Sequence, residues 1–509
     1  MIAETDRTTR DGSGIHHFIG GRTTSERSAR TSPVHDPATG QVVATVDLAD
    51  VDDVDLAVAA AAAAFPDWSG SSLAARTRVM FAFREQVTAH IEELAAVVTQ
   101  QHGKTLDDAR GEIARALDVV EFACGLPTIL TDRASSNIST GIDASGIRQP
   151  LGVVAGITPF NFPVMVPAWM YPIAIACGNT FVLKPSESDP GASALVAVLW
   201  QRAGLPDGVF NVVHGDKVAV DALLDHADVA AVSFVGSTPV ARHVYERASA
   251  AGKRVQALGG AKNHMVVMPD ADLDIAADAA VSAGFGSAGQ RCMAISVVVA
   301  VGAIADSFVE RVVARVDHLE VGGGADPGVD MGPVISARQR DRVMSLIDGG
   351  LADGATLVRD GRALSLAPQL ADGFFVGPTL FDHVTPHMAI YIEEIFGPVL
   401  CVVRADSYEE ALALVNASPY GNGAAIFTEH GPTARDFGER VTAGMVGINV
   451  PIPVPAPPQA FGGWKQSMFG PLHAYGHDGV AFYTRGKVLT TRWAKPSESA
   501  RSALSFPTT

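Results

Sequence analysis

The chain has 509 residues, too many for one hydrophobic core, so two or three packed units are expected. A net charge of −17 argues against nucleic acid or anionic membrane as a partner, while leaving room for a locally basic pocket that takes a small anion. Cys124, Cys177, Cys292 and Cys401 lie far apart with no CxxC or Cys/His spacing, which argues against a disulfide framework and a zinc site. Residues 1–13 are polar and lack the apolar stretch of a secretory signal, and no 18-residue apolar run suggests a membrane span. A soluble protein in the reducing cytoplasm is the resulting expectation.

In chain order, residues 1–14 read as a disordered tail, and residues 54–64 and 72–101 as helices. The apolar run 57–65 is flanked by Asp52, Asp53, Asp55 and Asp67 and reads as the packed face of a surface helix. Residues 151–157 form an apolar strand that enters a Thr158-Pro159-Phe160 turn. A strand at 180–184, a helix at 193–203 and strands at 209–213 and 230–235 follow. The last enters Gly236-Ser237-Thr238-Pro239 and a helix at 240–251. This alternation predicts a parallel, doubly wound sheet. A second α/β series begins after Lys262, with strands at 265–268, 296–301, 399–403 and 424–427 and helices such as 307–318 and 336–348. Residues 129–149 are polar and β-prone; with 480–493 they form either a sheet extension that pairs with another subunit or a surface hairpin. Residues 495–509 read as a second tail.

Several short segments carry chemistry. Cys292 lies in Gly289-Gln290-Arg291-Cys292-Met293-Ala294, between a flexible approach and an apolar strand, where a thiolate is held firmly yet reached from a loop. Arg291 beside it favours the thiolate and can meet an anionic substrate. Asn161, between aromatic residues and prolines, offers an amide donor to an oxyanion, or else serves the turn. Gly236-Ser237 opens a helix after a strand, a weak phosphate signal that is not the GxGxxG fingerprint. Lys184 and Glu187 stand at a strand end where dinucleotides bind, and both can bond ribose hydroxyls. Glu394 and Phe396, two residues apart, can face a nicotinamide ribose. Arg115 sits among acidic neighbours on a helix, where a surface ion pair is the default.

Together, Pro159-Phe160-Asn161-Phe162-Pro163, Cys177-Gly178-Asn179-Thr180-Phe181, Gly289-Gln290-Arg291-Cys292-Met293-Ala294 and Asn449-Val450-Pro451-Ile452-Pro453-Val454-Pro455 resemble the aldehyde dehydrogenase superfamily over residues 15–494. The closer resemblance is to its CoA-acylating methylmalonate-semialdehyde and malonate-semialdehyde dehydrogenases. It implies an α/β fold with a Rossmann-like NAD-binding domain (15–128 and 149–261), an α/β catalytic domain (262–477) and a small β oligomerisation arm (129–148 and 478–494). It assigns Cys292 as nucleophile and Asn161 as oxyanion amide. Thr158, Phe160, Lys184, Glu187, Ser188, Ser237, Gly259 and Glu394 match NAD-contacting positions. Arg115 and Arg291 would bind the substrate carboxylate, arginine being suited to a bidentate grip. NAD as cofactor, CoA as cosubstrate, no metal, and a homodimer or homotetramer are also implied.

One departure carries mechanism. Hydrolytic members place a glutamate in Glu-Leu-Gly-Gly-Lys to activate water, whereas this chain reads Gln256-Ala257-Leu258-Gly259-Gly260-Ala261-Lys262. The glutamate position falls on Ala257 by the glycines, or on Leu258 counted back from Asp270-Ala271-Asp272. Neither is a base, so a thioacyl enzyme should await a thiol such as CoA. Two rivals remain: a hydrolytic, CoA-independent dehydrogenase using another base such as His264, and a non-catalytic binding protein that keeps the fold.

Overall fold

The computed structural model describes residues 14–25, 28–131 and 133–493. Apart from Gly14, the two expected tails lie outside the described residues. The helix Val51–Gly70 opens on a capping box, Asp50 accepting from the Asp53 N–H and Asp53 from the Asp50 N–H. Its buried Val54, Ala57, Val58 and Ala61 form the expected packed face and join one core with Val153, Ala155, Ile157 and Val182 of the first sheet. The expected single helix at 72–101 is two, Leu73–Ala89 and Ile91–His102. His90 leaves helical geometry between them, its ring Nδ1 2.7 Å from the Gln86 carbonyl. Continuous apolar spacing does not reveal such a side-chain cap.

Five parallel strands form the centre of the first sheet, in the spatial order Phe210–Val212, Thr180–Lys184, Val153–Ile157, Val229–Val235, Arg254–Leu258. The strand that comes first in the chain, Val153–Ile157, sits in the middle. Strand order therefore reverses between it and Val229–Val235, and a ligand crevice is expected outside the carboxyl ends of the strands there. The second sheet runs Thr356–Arg359, Thr379–Asp382, Val399–Ala405, Ile295–Val301, Asn263–Val267, Gly423–Phe427, Met445–Ile448, antiparallel only at its first pair. Its central strands are near-continuous apolar runs because both faces are covered. The chain leaves the carboxyl end of the first sheet at Leu258 and enters the amino end of the second at Asn263. The ends that carry loops and chemistry thus meet.

A third, three-stranded sheet pairs Thr484–Arg492 with Ile142–Pro150, and the latter with Arg133–Ser139. Residues 480–482, expected in this sheet, instead end the helix Gly476–Phe482, where the Tyr483 N–H still donates to Gly479 O. Among the described residues no helix is long and apolar enough to cross a membrane.

Candidate active site

All four cysteines are free; Cys124, Cys177 and Cys401 are buried and Cys292 is partly exposed. Cys292 follows a strained approach. After the helix Leu273–Phe285, Ser287 and Ala288 adopt φ of 52° and 51° and Gly289 φ of 68°. Left-handed geometry costs a non-glycine residue about 1–2 kcal/mol, so contacts must hold it. The Ser287 N–H donates to Asp108 Oδ2 at 3.1 Å, and the Ile335 N–H donates to Gln290 Oε1 at 3.2 Å. A Cβ on Gly289 would lie 2.2 Å from the Gly397 carbonyl oxygen, so only glycine fits. Beyond the loop, the side-chain amides of Asn263 and Asn422 each donate to the Cys292 carbonyl at 2.9 Å. Burial pushes the Cys292 thiol up to about 12 and the Glu394 charge adds to this. The backbone N–H groups of Cys292 and Met293 pull it back, and Arg291 does so least. Arg291 is paired with Asp108.

The helix Leu106–Cys124 organises the surrounding site. Its N-cap Thr105 accepts from the Asp108 N–H at 3.2 Å. Asp108, Glu112 and Arg115 stand four and then three positions apart, hence on one stripe. Asp108 holds Ser287 and Arg291, as above. Glu112 Oε1 accepts the N–H groups of Val164 (2.8 Å) and Met165 (3.1 Å), and its Oε2 lies 2.6 Å from Lys104 Nζ. Lys104 Nζ in turn donates to the Asn161 carbonyl at 2.7 Å. Asn161 is 3% exposed, and its side-chain amide makes no hydrogen bond among the described residues, so it is available to donate. Arg115 pairs with Asp118 at 3.0 Å and donates to Val454 O at 3.0 Å. Tyr475, whose phenol feels both Arg115 and Cys292, packs edge-on against Trp169, which tilts against Phe461.

The crevice at the strand reversal collects the remaining predicted residues. Thr158 directly follows the middle strand, and its Oγ1 is buried with no partner among the described residues. Ser237 caps the helix Thr238–Ala250 without spending its side chain on the cap, since Pro239 occupies the first turn. Lys184 Nζ donates to Gly215 O at 2.8 Å and lies 3.5 Å from Glu187 Oε2. Ser188 turns back through its N–H to Ser186 Oγ. Gly259 and Gly260 let other groups approach the backbone closely: a Cβ on Gly260 would lie 2.3 Å from Glu394 Oε2. Glu394 accepts the Ala261 N–H at 2.9 Å, and burial pushes its carboxyl up to about 7. Phe160 meets Phe396 edge-on with ring centres 5.8 Å apart. One cavity is lined by Cys292, Arg291, Asn263, Glu394 and Phe396. An orphaned threonine hydroxyl, an unspent serine at a helix N-terminus, and a lysine beside a carboxylate fit a dinucleotide with unphosphorylated ribose.

Ala257 and Leu258 are both buried. Ala257 faces the core behind the first sheet, and Leu258 joins Met293 and Phe461 in the apolar cluster against which Cys292 packs. His264 is already engaged, with Nδ1 2.8 Å from Lys262 O and Nε2 3.0 Å from the Tyr391 hydroxyl, and burial pushes it down to about 4.

Lys104, Asp108, Glu112, Asn263 and Asn422 were not singled out from the sequence. Each acts on a segment far away in the chain: Asp108 on Arg291 across 183 positions, Asn422 on Cys292 across 130. A single sequence carries no local signal for such pairs.

A model of the aldehyde dehydrogenase family matches residues 23–489. A malonate-semialdehyde dehydrogenase of Pseudomonas aeruginosa is 52% identical over 97% of this chain and 99% of its own length. Malonate-semialdehyde dehydrogenase 1 of Geobacillus thermodenitrificans is 51% identical over 94% of this chain and 99% of its own. Among solved structures, the methylmalonate-semialdehyde dehydrogenase of Oceanimonas doudoroffii superposes with a TM-score of 0.93 at 52% identity, covering 95% of this chain and 99% of that one. A candidate methylmalonate-semialdehyde dehydrogenase of Sinorhizobium meliloti, complexed with NAD, superposes with a TM-score of 0.94 at 52% identity and the same coverage.

Proposed function

Because the chain belongs to the aldehyde dehydrogenase family, we propose that it oxidises malonate or methylmalonate semialdehyde with NAD and passes the decarboxylated acyl group to CoA. The products are acetyl-CoA or propionyl-CoA, carbon dioxide and NADH. NAD, when bound in the crevice, supplies the hydride acceptor. Thr158, Phe160, Ser188, Ser237 and Gly259 would line its site, Lys184 and Glu187 would hold the adenosine ribose, and Glu394 the nicotinamide ribose.

Cys292 Sγ attacks the aldehyde carbon, and the Asn161 amide and the Cys292 N–H donate to the oxygen that gains charge. Loss of hydride from that carbon leaves a thioester on Cys292. Arg115 and Arg291 hold the carboxylate one carbon away. Its C–C bond breaks with loss of carbon dioxide, and the electron pair spreads into the thioester oxygen, where the same two donors receive it. The carbon takes a proton from solvent, and CoA thiolate displaces the Cys292 thiolate. In this reading residues 15–128 with 149–261 bind NAD, 262–477 carry the nucleophile, and 129–148 with 478–494 join the subunits of a cytoplasmic homodimer or homotetramer.

The observation that carries transfer to CoA is that buried Ala257 and Leu258 offer no base, with His264 already engaged. Water lacks a base at the positions where hydrolytic relatives keep one. The test is NADH formation from malonate semialdehyde with and without CoA, on wild type and Cys292→Ala. Sustained turnover only with CoA, yielding acetyl-CoA and lost in Cys292→Ala, is the expected result. Equal sustained turnover to the free acid without CoA would overturn the transfer step, and no NADH under either condition would favour a binding protein.

A further inference from the structure

Lys104 and Glu112 form an ion pair whose side chains are both 0% exposed. Burying two charges is expensive, and apolar residues of similar volume usually stabilise a fold as well or better. Such a pair therefore calls for a reason beyond stability, and its contacts supply one. Every contact to the turn after the middle strand falls on residues 161–165. Lys104 Nζ donates to the Asn161 carbonyl and sits 4.3 Å from the centre of the Phe162 ring, while Glu112 accepts the N–H groups of Val164 and Met165. The peptide carrying the Asn161 side chain is thus gripped on its carbonyl side by the cation and three residues later by the anion. Each charge fixes the other.

The grip is itself anchored. Gly103 ends the helix Ile91–His102 with φ of 93°, which turns the chain sharply into Lys104. A Cβ on Gly324 would lie 2.3 Å from the Lys104 carbonyl oxygen, and one on Gly332 would lie 1.9 Å from that of Gly103. Backbone packed this closely leaves the base of the lysine little freedom. Glu112 rises from the middle of the helix Leu106–Cys124. The clamp joins two rigid supports to one loop, as a donor aimed at a small charged target requires.

We propose that the Lys104–Glu112 pair is a positioning device for the Asn161 amide, setting its aim at the oxygen that becomes charged during aldehyde oxidation. The proposal rests on the oxyanion role given to Asn161 above. It makes Lys104 and Glu112 positioning residues, since neither reaches the reacting atoms.

The test is a double-mutant cycle with malonate semialdehyde, NAD and CoA. Lys104→Met/Glu112→Leu removes both charges together and leaves neither stranded. The expected result is a kcat ten- to a hundredfold lower, with aldehyde KM and NAD affinity within about twofold, below the loss of 10²–10³ typical of deleting an oxyanion donor. In an Asn161→Ala background, the same replacement should lower kcat by less than about threefold, because no amide remains to be aimed. An unchanged kcat in the double variant, an equal loss on top of Asn161→Ala, or a matching loss of NAD affinity would each overturn the proposal. An Asn161→Ala protein with full activity would instead remove the oxyanion reading on which the proposal stands. If the double variant does not fold, Glu112→Gln keeps an oxygen for the two N–H groups but removes the charge. It should lower kcat three- to tenfold, again only while Asn161 is present, and an effect of equal size without Asn161 would overturn the proposal.

Discussion

The Cys292 thiol starts from an unfavourable place for a nucleophile. Burial and the nearby Glu394 charge push it up to about 12, while Arg291, its sequence neighbour, is committed to Asp108 and helps least. Below that value each pH unit changes the thiolate fraction about tenfold, and the thiolate is the reacting form. In the cofactor-free protein, alkylation of Cys292 by iodoacetamide should therefore rise about tenfold from pH 8 to 9, where Glu394 is already charged. Because a negative neighbour raises the thiol, Glu394→Gln should speed alkylation at pH 8. The buried Cys124, Cys177 and Cys401 can be followed in Cys292→Ala as a control. A wild-type rate that levels off below pH 8 would contradict this account. Cys292 was legible in the sequence as a candidate nucleophile, being a cysteine between a glycine-rich approach and an apolar strand. Its electrostatics were not, because adjacency of Arg291 says nothing about Asp108, which only the fold brings to it.

At the scale of elements, the helix Leu106–Cys124 serves three loops from one stripe. Asp108 reaches the loop before Cys292, Glu112 the Asn161 turn, and Arg115 the segment around Val454. Seven helical positions span about 10 Å, so Asp108, which holds Arg291, and Arg115 lie roughly two turns apart along one face. A carboxylate gripped by both arginines gains charge-assisted bonds that a neutral aldehyde does not. Arg115→Ala should raise KM for malonate semialdehyde about tenfold or more and leave that for propanal within about twofold. Equal changes for both substrates would remove the carboxylate contact. The helix was readable from its sequence, but its working face was not. Arg115 among acids has the signature of an ordinary surface pair, and the structure does pair it with Asp118 while its other arm holds Val454. The break at His90 escaped the sequence for a similar reason: apolar spacing runs through it, and only the ring-to-carbonyl contact reveals the cap.

Over the whole molecule, the inner strands of both large sheets were the most legible feature, because parallel strands covered on both faces write themselves as apolar runs, whereas Arg254–Leu258, Thr379–Asp382 and Met445–Ile448 went unpredicted. The strand order was not legible, since nothing local marks Val153–Ile157 as central. That order places Thr158 and Ser237 on opposite sides of one crevice. The third sheet ends on an outer strand, Thr484–Arg492, paired on one side only among the described residues, with Val488 73% exposed and Leu489 also exposed. An unpaired strand edge is a ready template for another chain. If it joins subunits, Val488→Lys/Leu489→Lys should shift the mass measured by light scattering to a smaller species while the chain still folds. An unchanged mass would place the contact elsewhere.

The lack of a base at Ala257 and Leu258 also has a consequence in time. A positioned base contributes about 10²–10⁴ in rate, so without one the acyl group on Cys292 should outlast, by about that factor, the same thioester in a hydrolytic relative. When free CoA runs short, each chain would oxidise one aldehyde and then stall with its product attached. The enzyme would then act as a gauge of the thiol pool, drawing electrons from its substrate only as fast as the cell can collect the carbon.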